Sequence, residues 1–139
     1  MKQPEIIIHI GMHKTGTTSI QRTFARHLND FDFVYVKLEN PNHSREIFTL
    51  FEEKNHPSKN DIENQEVTKV NKQTKNRLIE NFQKYTNKKF IISGESIRGM
   101  SPNALMEFKL FLSQYFHKIS IVAYIRTPKD YMESAFNRL

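Results

Sequence analysis

Gly11 and Gly16 bracket a loop that carries His13, Lys14 and Thr15, and the loop opens into Thr17-Thr18-Ser19-Ile20-Gln21. The apolar run Ile6-Ile7-Ile8-His9-Ile10 leads into it. A β-branched run, a glycine-bracketed turn and a helix-compatible segment, in that order, build a cradle for a phosphate. The first N–H groups of a helix have no internal partner and point at an anion. Successive loop amides form a nest for the same charge, and glycine lets the backbone approach a ligand with no side chain between them. The glycine spacing fits the nucleotide-triphosphate loop G-x-x-x-x-G-K-[ST]. Here, however, Thr17 stands in the lysine position, and the cation lies inside the loop as Lys14.

Two further groups have types and positions suited to the same chemistry. Ile119–Ile125 reads as a buried strand that delivers Arg126. Thr127 is a good N-cap, Pro128 a good first helical residue, and Asp130 is favourable in the first turn. Arg126 therefore lies at the carboxyl end of a strand, where open α/β sheets bind ligands, and a guanidinium matches a phosphate by paired hydrogen bonds. Ser134 follows on the helix. Glu95, in Ser93-Gly94-Glu95-Ser96, comes just after another strand. Parallel pairing brings that strand end beside the Gly11–Thr18 loop, where a carboxylate can take a proton from a hydroxyl. A purely structural role, capping the next turn or pairing with Arg98, is equally open to it.

His13-Lys14-Thr15-Gly16-Thr17-Thr18-Ser19-Ile20-Gln21 resembles the 5′-phosphosulfate loop of the sulfotransferases that use 3′-phosphoadenosine 5′-phosphosulfate (PAPS). Arg126 and Ser134, eight residues apart, resemble the pair that holds the 3′-phosphate in that family. The resemblance covers both ends of the chain and leaves the middle unassigned. It implies a P-loop-nucleotide-hydrolase-like core and transfer of a sulfuryl group from PAPS to a hydroxyl or amine, with adenosine 3′,5′-bisphosphate as product and no metal. It assigns Lys14 to the leaving oxygen. The cofactor then lies against His13, Lys14, Thr15, Gly16, Thr17 and Thr18, with Arg126 and Ser134 at its 3′ end. Many members resemble this chain in carrying a glutamate after a strand as base, which points to Glu95; others use histidine. Members also continue past this point with a glycine-containing basic segment, so the resemblance implies a domain incomplete at its C-terminus. Sulfuryl transfer resembles loose phosphoryl transfer, so positioning and charge stabilisation dominate its catalysis. Two other readings stay open. One is a P-loop kinase of a small metabolite, weakened by Thr17 and by the lack of a strand ending in a magnesium-binding aspartate. The other is a truncated nucleotide-binding remnant without activity.

The elements that must position these groups are legible from period and punctuation. Strands are expected at 5–10, 33–36, 90–93 and 119–125. Helices are expected from Thr17 to about Leu28, from His43 to about Glu53, over about 66–86, from the Ser101-Pro102 start, and after Thr127. Residues 54–64 read as a loop. The third helix shows sparse apolar positions at Val67, Val70, Leu78, Ile79 and Phe82. Alternating strands and helices predict an α/β fold with a parallel sheet and right-handed crossovers.

The 139 residues suit one domain, 1–139, with 37% hydrophobic residues and 11 Phe to fill a core. There is no cysteine, hence no disulfide or thiolate metal site. No signal peptide or span-length apolar stretch stands out, so a cytoplasmic protein is expected. The net charge is +6, concentrated in residues 54–89, where nine Lys or Arg face four Asp or Glu. Such a segment is a solvated helix face or a landing surface for an anionic partner. The interleaved acids and few aromatics argue against nucleic acid. The acceptor is a small molecule, carbohydrate or lipid. His9, alternating within an aliphatic strand, reads as a satisfied, partly buried side chain, and the remaining histidines show no metal-ligand spacing.

Overall fold

The structure is a computed structural model that describes residues 4–12, 16–52 and 61–137, with side chains in the long helix from residue 65 onward. The elements alternate as the sequence predicts: β1 (Glu5–His9), α1 (Thr17–His27), β2 (Phe33–Tyr35), α2 (Ser44–Phe51), α3 (Asp61–Lys84), β3 (Lys89–Ser93), a 3-10 turn (Glu95–Gly99), α4 (Pro102–Ser113), β4 (Lys118–Val122) and α5 (Pro128–Phe136). The four strands form one all-parallel sheet in the order β2-β3-β1-β4. The fold is α/β, with helices flanking the sheet.

Strand pleating sorts the side chains to two faces. Ile6, Ile8, Phe90 and Ile92 face one side and are essentially inaccessible. They join Phe51, Phe82, Phe108, Phe111 and Phe116 from α2, α3 and α4 and the turn after α4. Phe82 meets Phe90 and Phe116 edge-on at 5.4 and 4.7 Å between ring centroids, a geometry aromatic quadrupoles favour. His9, Ser93, Ile91 and Tyr35 take the opposite face. There α1 lies over them through Gln21 and through Phe24, whose ring is 5.9 Å from that of Tyr35.

Three expectations need correction. β4 is not a buried strand: it lies at the sheet edge, ends at Val122, and leaves Ile121 61% exposed. An apolar run marks a strand, but burial depends on what stands beside it. α3 begins at Asp61, inside the segment read as loop. Its buried stripe is Asn71, Thr74, Leu78 and Phe82, whereas Val70 faces solvent. The NH2 group of buried Asn71 donates to the Thr49 carbonyl at 3.2 Å, while its Oδ1 has no partner among the described residues. No described helix is long and apolar enough to cross a membrane.

Candidate functional site

The loop begins where β1 ends. Gly11 and Gly16 both have positive φ, 93° and 77°, the left-handed region that an L side chain enters only under strain. Gly16 is the cap residue of α1 and offers no side-chain cap, and the first turn of α1 contains no acidic residue. Neither Gly16 nor the first turn of α1 thus supplies an acidic side chain to offset the positive end of that helix. Thr17 is buried, and its hydroxyl donates to the Met12 carbonyl at 3.1 Å. That bond draws the two ends of the loop together, so the Thr17 side chain braces the cradle, while Thr18 is exposed. His13, Lys14 and Thr15, the other loop residues singled out from the sequence, lie outside the described residues.

Parallel pairing brings two more chain segments to this loop. Beyond β4 the chain stays extended and is stitched to the loop: Ile10 N–H donates to Val122 at 3.0 Å, Met12 N–H to Tyr124 at 2.9 Å, and Tyr124 N–H to Gly11 at 2.7 Å. Arg126 follows two residues later and is exposed. Thr127 then caps α5, accepting from the Asp130 amide at 3.3 Å, with Pro128 behind it. Ser134 is half-buried on α5. Neither the Arg126 nor the Ser134 side chain forms a hydrogen bond or ion pair with another described residue. The structure brings the Arg126 segment to the loop but shows no contact joining Arg126 to Ser134.

On the other side stands Glu95, which is 6% exposed at the start of the 3-10 turn. The Gly94 amide donates to the His9 carbonyl at 2.9 Å, which fixes the end of β3 against the end of β1. Glu95 does not pair with Arg98. Its Oε2 accepts from Asn42 Nδ2 at 3.0 Å and from Ser44 Oγ at 3.3 Å. Oε1 takes no hydrogen bond among the described residues. Asn42 and Ser44 are themselves fixed, since the Ser44 amide donates to Asn42 Oδ1 at 2.9 Å and Ser44 Oγ accepts from the Ser96 amide at 3.1 Å. One carboxylate oxygen is therefore held by two donors and the other is not.

Between Asn42 and Ser44, His43 does a related job for Ser93. Its amide donates to the Ser93 carbonyl at 2.9 Å, and its Nδ1 accepts from the Ser93 amide at 3.2 Å. Three consecutive residues, 42–44, thus strap Ser93, Glu95 and Ser96. The His43 ring is wholly buried and stacked on Tyr35 at 4.6 Å. Burial pushes its pKa down to about 4, and burial pushes the Tyr35 phenol up. Among the described residues no group of three His, Cys, Asp or Glu side chains is arranged to hold a metal ion.

No protein-family model matches the chain, and no curated protein matches its sequence significantly. Any functional reading therefore rests on the arrangement itself. The N-terminus of α1 behind a two-glycine loop, an arginine-bearing segment bonded to the start of that loop, and a half-held carboxylate all meet at the carboxyl ends of β1, β3 and β4. This is the edge at which open parallel sheets take ligands. The sequence alone did not point to Asn42, His43, Ser44 or Ser93, because their contacts join segments about 50 residues apart. Gln21 stood within the quoted motif but carried no role. Its amide donates to Ser93 Oγ at 3.0 Å.

Proposed function

We propose that this chain is a PAPS-dependent sulfotransferase domain that moves a sulfuryl group from PAPS to a hydroxyl or amine acceptor. The observation that carries the reading is the pair of backbone bonds from Tyr124 N–H to the Gly11 carbonyl and from Met12 N–H to the Tyr124 carbonyl, which join the start of the loop resembling a phosphosulfate cradle to the segment bearing Arg126. Two segments that resemble the same family from opposite ends of the sequence are thereby neighbours at the carboxyl end of the sheet. Positive φ at Gly11 and Gly16 and a first turn of α1 without acids suit an anion in the loop.

In this reading PAPS supplies the sulfuryl group and a phosphate leaving group. The α1 amides hold the 5′-phosphate, Lys14 stabilises charge on the leaving oxygen, and Arg126 with Ser134 binds the 3′-phosphate. Glu95, oriented through Oε2 by Asn42 and Ser44, takes the acceptor proton on Oε1. The test is a thermal-shift series. Adenosine 3′,5′-bisphosphate should stabilise the protein more than AMP or ATP with magnesium, by about 2.7 kcal/mol at a hundredfold excess over Kd. A larger shift with ATP and magnesium would support a kinase instead. A second reading, nucleotide binding without turnover, is favoured by α5, none of whose described residues is buried. Bisphosphate stabilisation without transfer of labelled sulfate from PAPS to any acceptor would support it.

A further inference from the structure

The turn between α1 and β2 holds a phenylalanine out into water. Asp30 Oδ1 accepts from the Asp32 and Phe33 amides at 2.9 and 2.8 Å, and the Asp30 amide donates to the Phe33 carbonyl at 3.1 Å. An aspartate that bonds the backbone just ahead of it is a turn former. The Asp32 carbonyl accepts from the Lys89 amide at 2.8 Å, which pins the turn to the start of β3. Phe31, at the tip, is 96% exposed. Its backbone is thus fixed, while its ring has none of the stabilisation that burial gives.

Beside Phe31 lies a hollow of about 650 Å³. Its other wall is the end of α3 and the turn into β3. There Tyr85 is half-buried, with the Lys84 and Lys88 ammonium groups each 5.3 Å from its ring centroid, within the range at which a ring face attracts a cation. Lys88 also donates to Asn29 Oδ1 at 2.8 Å, which ties the two walls together. The charges are sorted: Asp30 and Asp32 flank Phe31, and Lys84 and Lys88 stand at Tyr85. That sorting decides what fits. A nucleic acid or an anionic bilayer would press phosphates against Asp30 and Asp32. A basic partner would meet Lys84 and Lys88. A second copy turned through 180° brings each acidic turn against the other's lysines and each Phe31 toward the other's hollow.

We propose that this corner is a self-complementary interface: the turn carrying Asp30, Phe31 and Asp32 in one copy docks against Tyr85, Lys84 and Lys88 of a second copy, and the reverse. Exposed ion pairs contribute little on their own, so burial of the two Phe31 rings carries the affinity and the charges fix the orientation. The turn is already held by its own bonds, so docking orders little that was free. The surface is small, and interfaces under roughly 1,200 Å² belong to weak, transient pairs. The dimer therefore exchanges with monomer. The corner lies at the amino ends of β2 and β3, the opposite edge of the sheet from the Gly11–Gly16 loop, so pairing leaves the candidate site open. The inference does not depend on the sulfotransferase reading.

The test is sedimentation of the whole protein over a concentration series up to about 1 mM, with backbone amide NMR on the same samples. The expected result is a monomer–dimer equilibrium whose concentration-dependent amide shifts fall on residues 29–33 and 84–88. Phe31→Ser should raise the dissociation constant about tenfold or more. It should leave the melting temperature of dilute protein unchanged, since an exposed ring adds nothing to the fold. Asp32→Lys and Lys84→Glu should each weaken pairing. An equimolar mixture of the two variants should pair more tightly than either alone, because the intact acidic turn of the second meets the intact lysines of the first. A monomer at every concentration, a dimer indifferent to Phe31→Ser, shifts that fall elsewhere, or a mixture no tighter than its parts would each overturn the proposal.

Discussion

A β-carbon on Gly94 would stand 2.7 Å from the backbone nitrogen of Ser44 and 2.9 Å from its Cα. Gly94 itself has extended backbone, φ −165°, so glycine is needed there for the close approach of two chain segments. Backbone cannot rotate aside as a side chain can. Gly94→Ala should destabilise the protein by about 1–3 kcal/mol and push Ser44 away from Glu95. Urea midpoints report the first effect. A midpoint equal to that of the unsubstituted protein would show that the α2 start can move freely relative to the end of β3.

Acid should loosen the strap. His43 has a folded pKa of about 4 against 6.5 for a free imidazole. The unfolded chain therefore binds more protons between those values, and stability falls as pH drops from about 6.5 toward 4. The stabilisation is fully present above pH 6.5 and amounts to a loss on the order of 3 kcal/mol across the window. Buried His9 shifts in the same direction. Urea unfolding at a series of pH values checks the slope. His43→Asn, whose side-chain oxygen can accept from Ser93, should flatten it; an unchanged slope would assign the acid sensitivity elsewhere.

Arg126→Ala should weaken binding of adenosine 3′,5′-bisphosphate by roughly 1.5–3 kcal/mol, the worth of a charge-assisted hydrogen bond. Binding of adenosine 5′-phosphate should hardly change. Calorimetric titration of both ligands is the measurement, and equal weakening would remove Arg126 from the 3′ position.

Glu95→Gln and Lys14→Ala should separate proton transfer from charge stabilisation. The first should cost on the order of 10²–10⁴ in PAPS-dependent turnover and leave bisphosphate affinity intact. The second should lower both rate and affinity. Near-full turnover of Glu95→Gln with an unaltered pH profile would make the carboxylate a structural partner of Asn42 and Ser44.

The alternation of elements was legible because its signals are local. Ser101 and Thr127 each precede a proline and each cap a helix, accepting from the amides of Ala104 and Asp130. The runs Ile6–Ile8 and Phe90–Ile92 announced strands. The exposure of β4 was not legible, because Ile121 looks the same in sequence whether or not another element covers it. The polar half of the α3 stripe was missed for the opposite reason: Asn71 and Thr74 look like surface residues in sequence, and only the fold brings the Thr49 carbonyl to Asn71. At the candidate site, Glu95 could be picked out by its place after a strand, but Asn42 and Ser44 could not. They lie 53 and 51 residues away in sequence and have no local signature as carboxylate partners.

The side chain of Asn81 has a consequence for how molecules of this protein can meet. Its carboxamide accepts from the Lys37 amide at 2.9 Å and donates to the Lys37 carbonyl at 3.1 Å. Just before this, Tyr35 N–H donates to Leu28 at 3.1 Å. Together these groups fill, along the outer side of β2, the positions that an added strand would use. The described sheet is thus sealed at β2: an edge strand is a template for a neighbour's strand, and on this side the template is already filled by the chain's own groups.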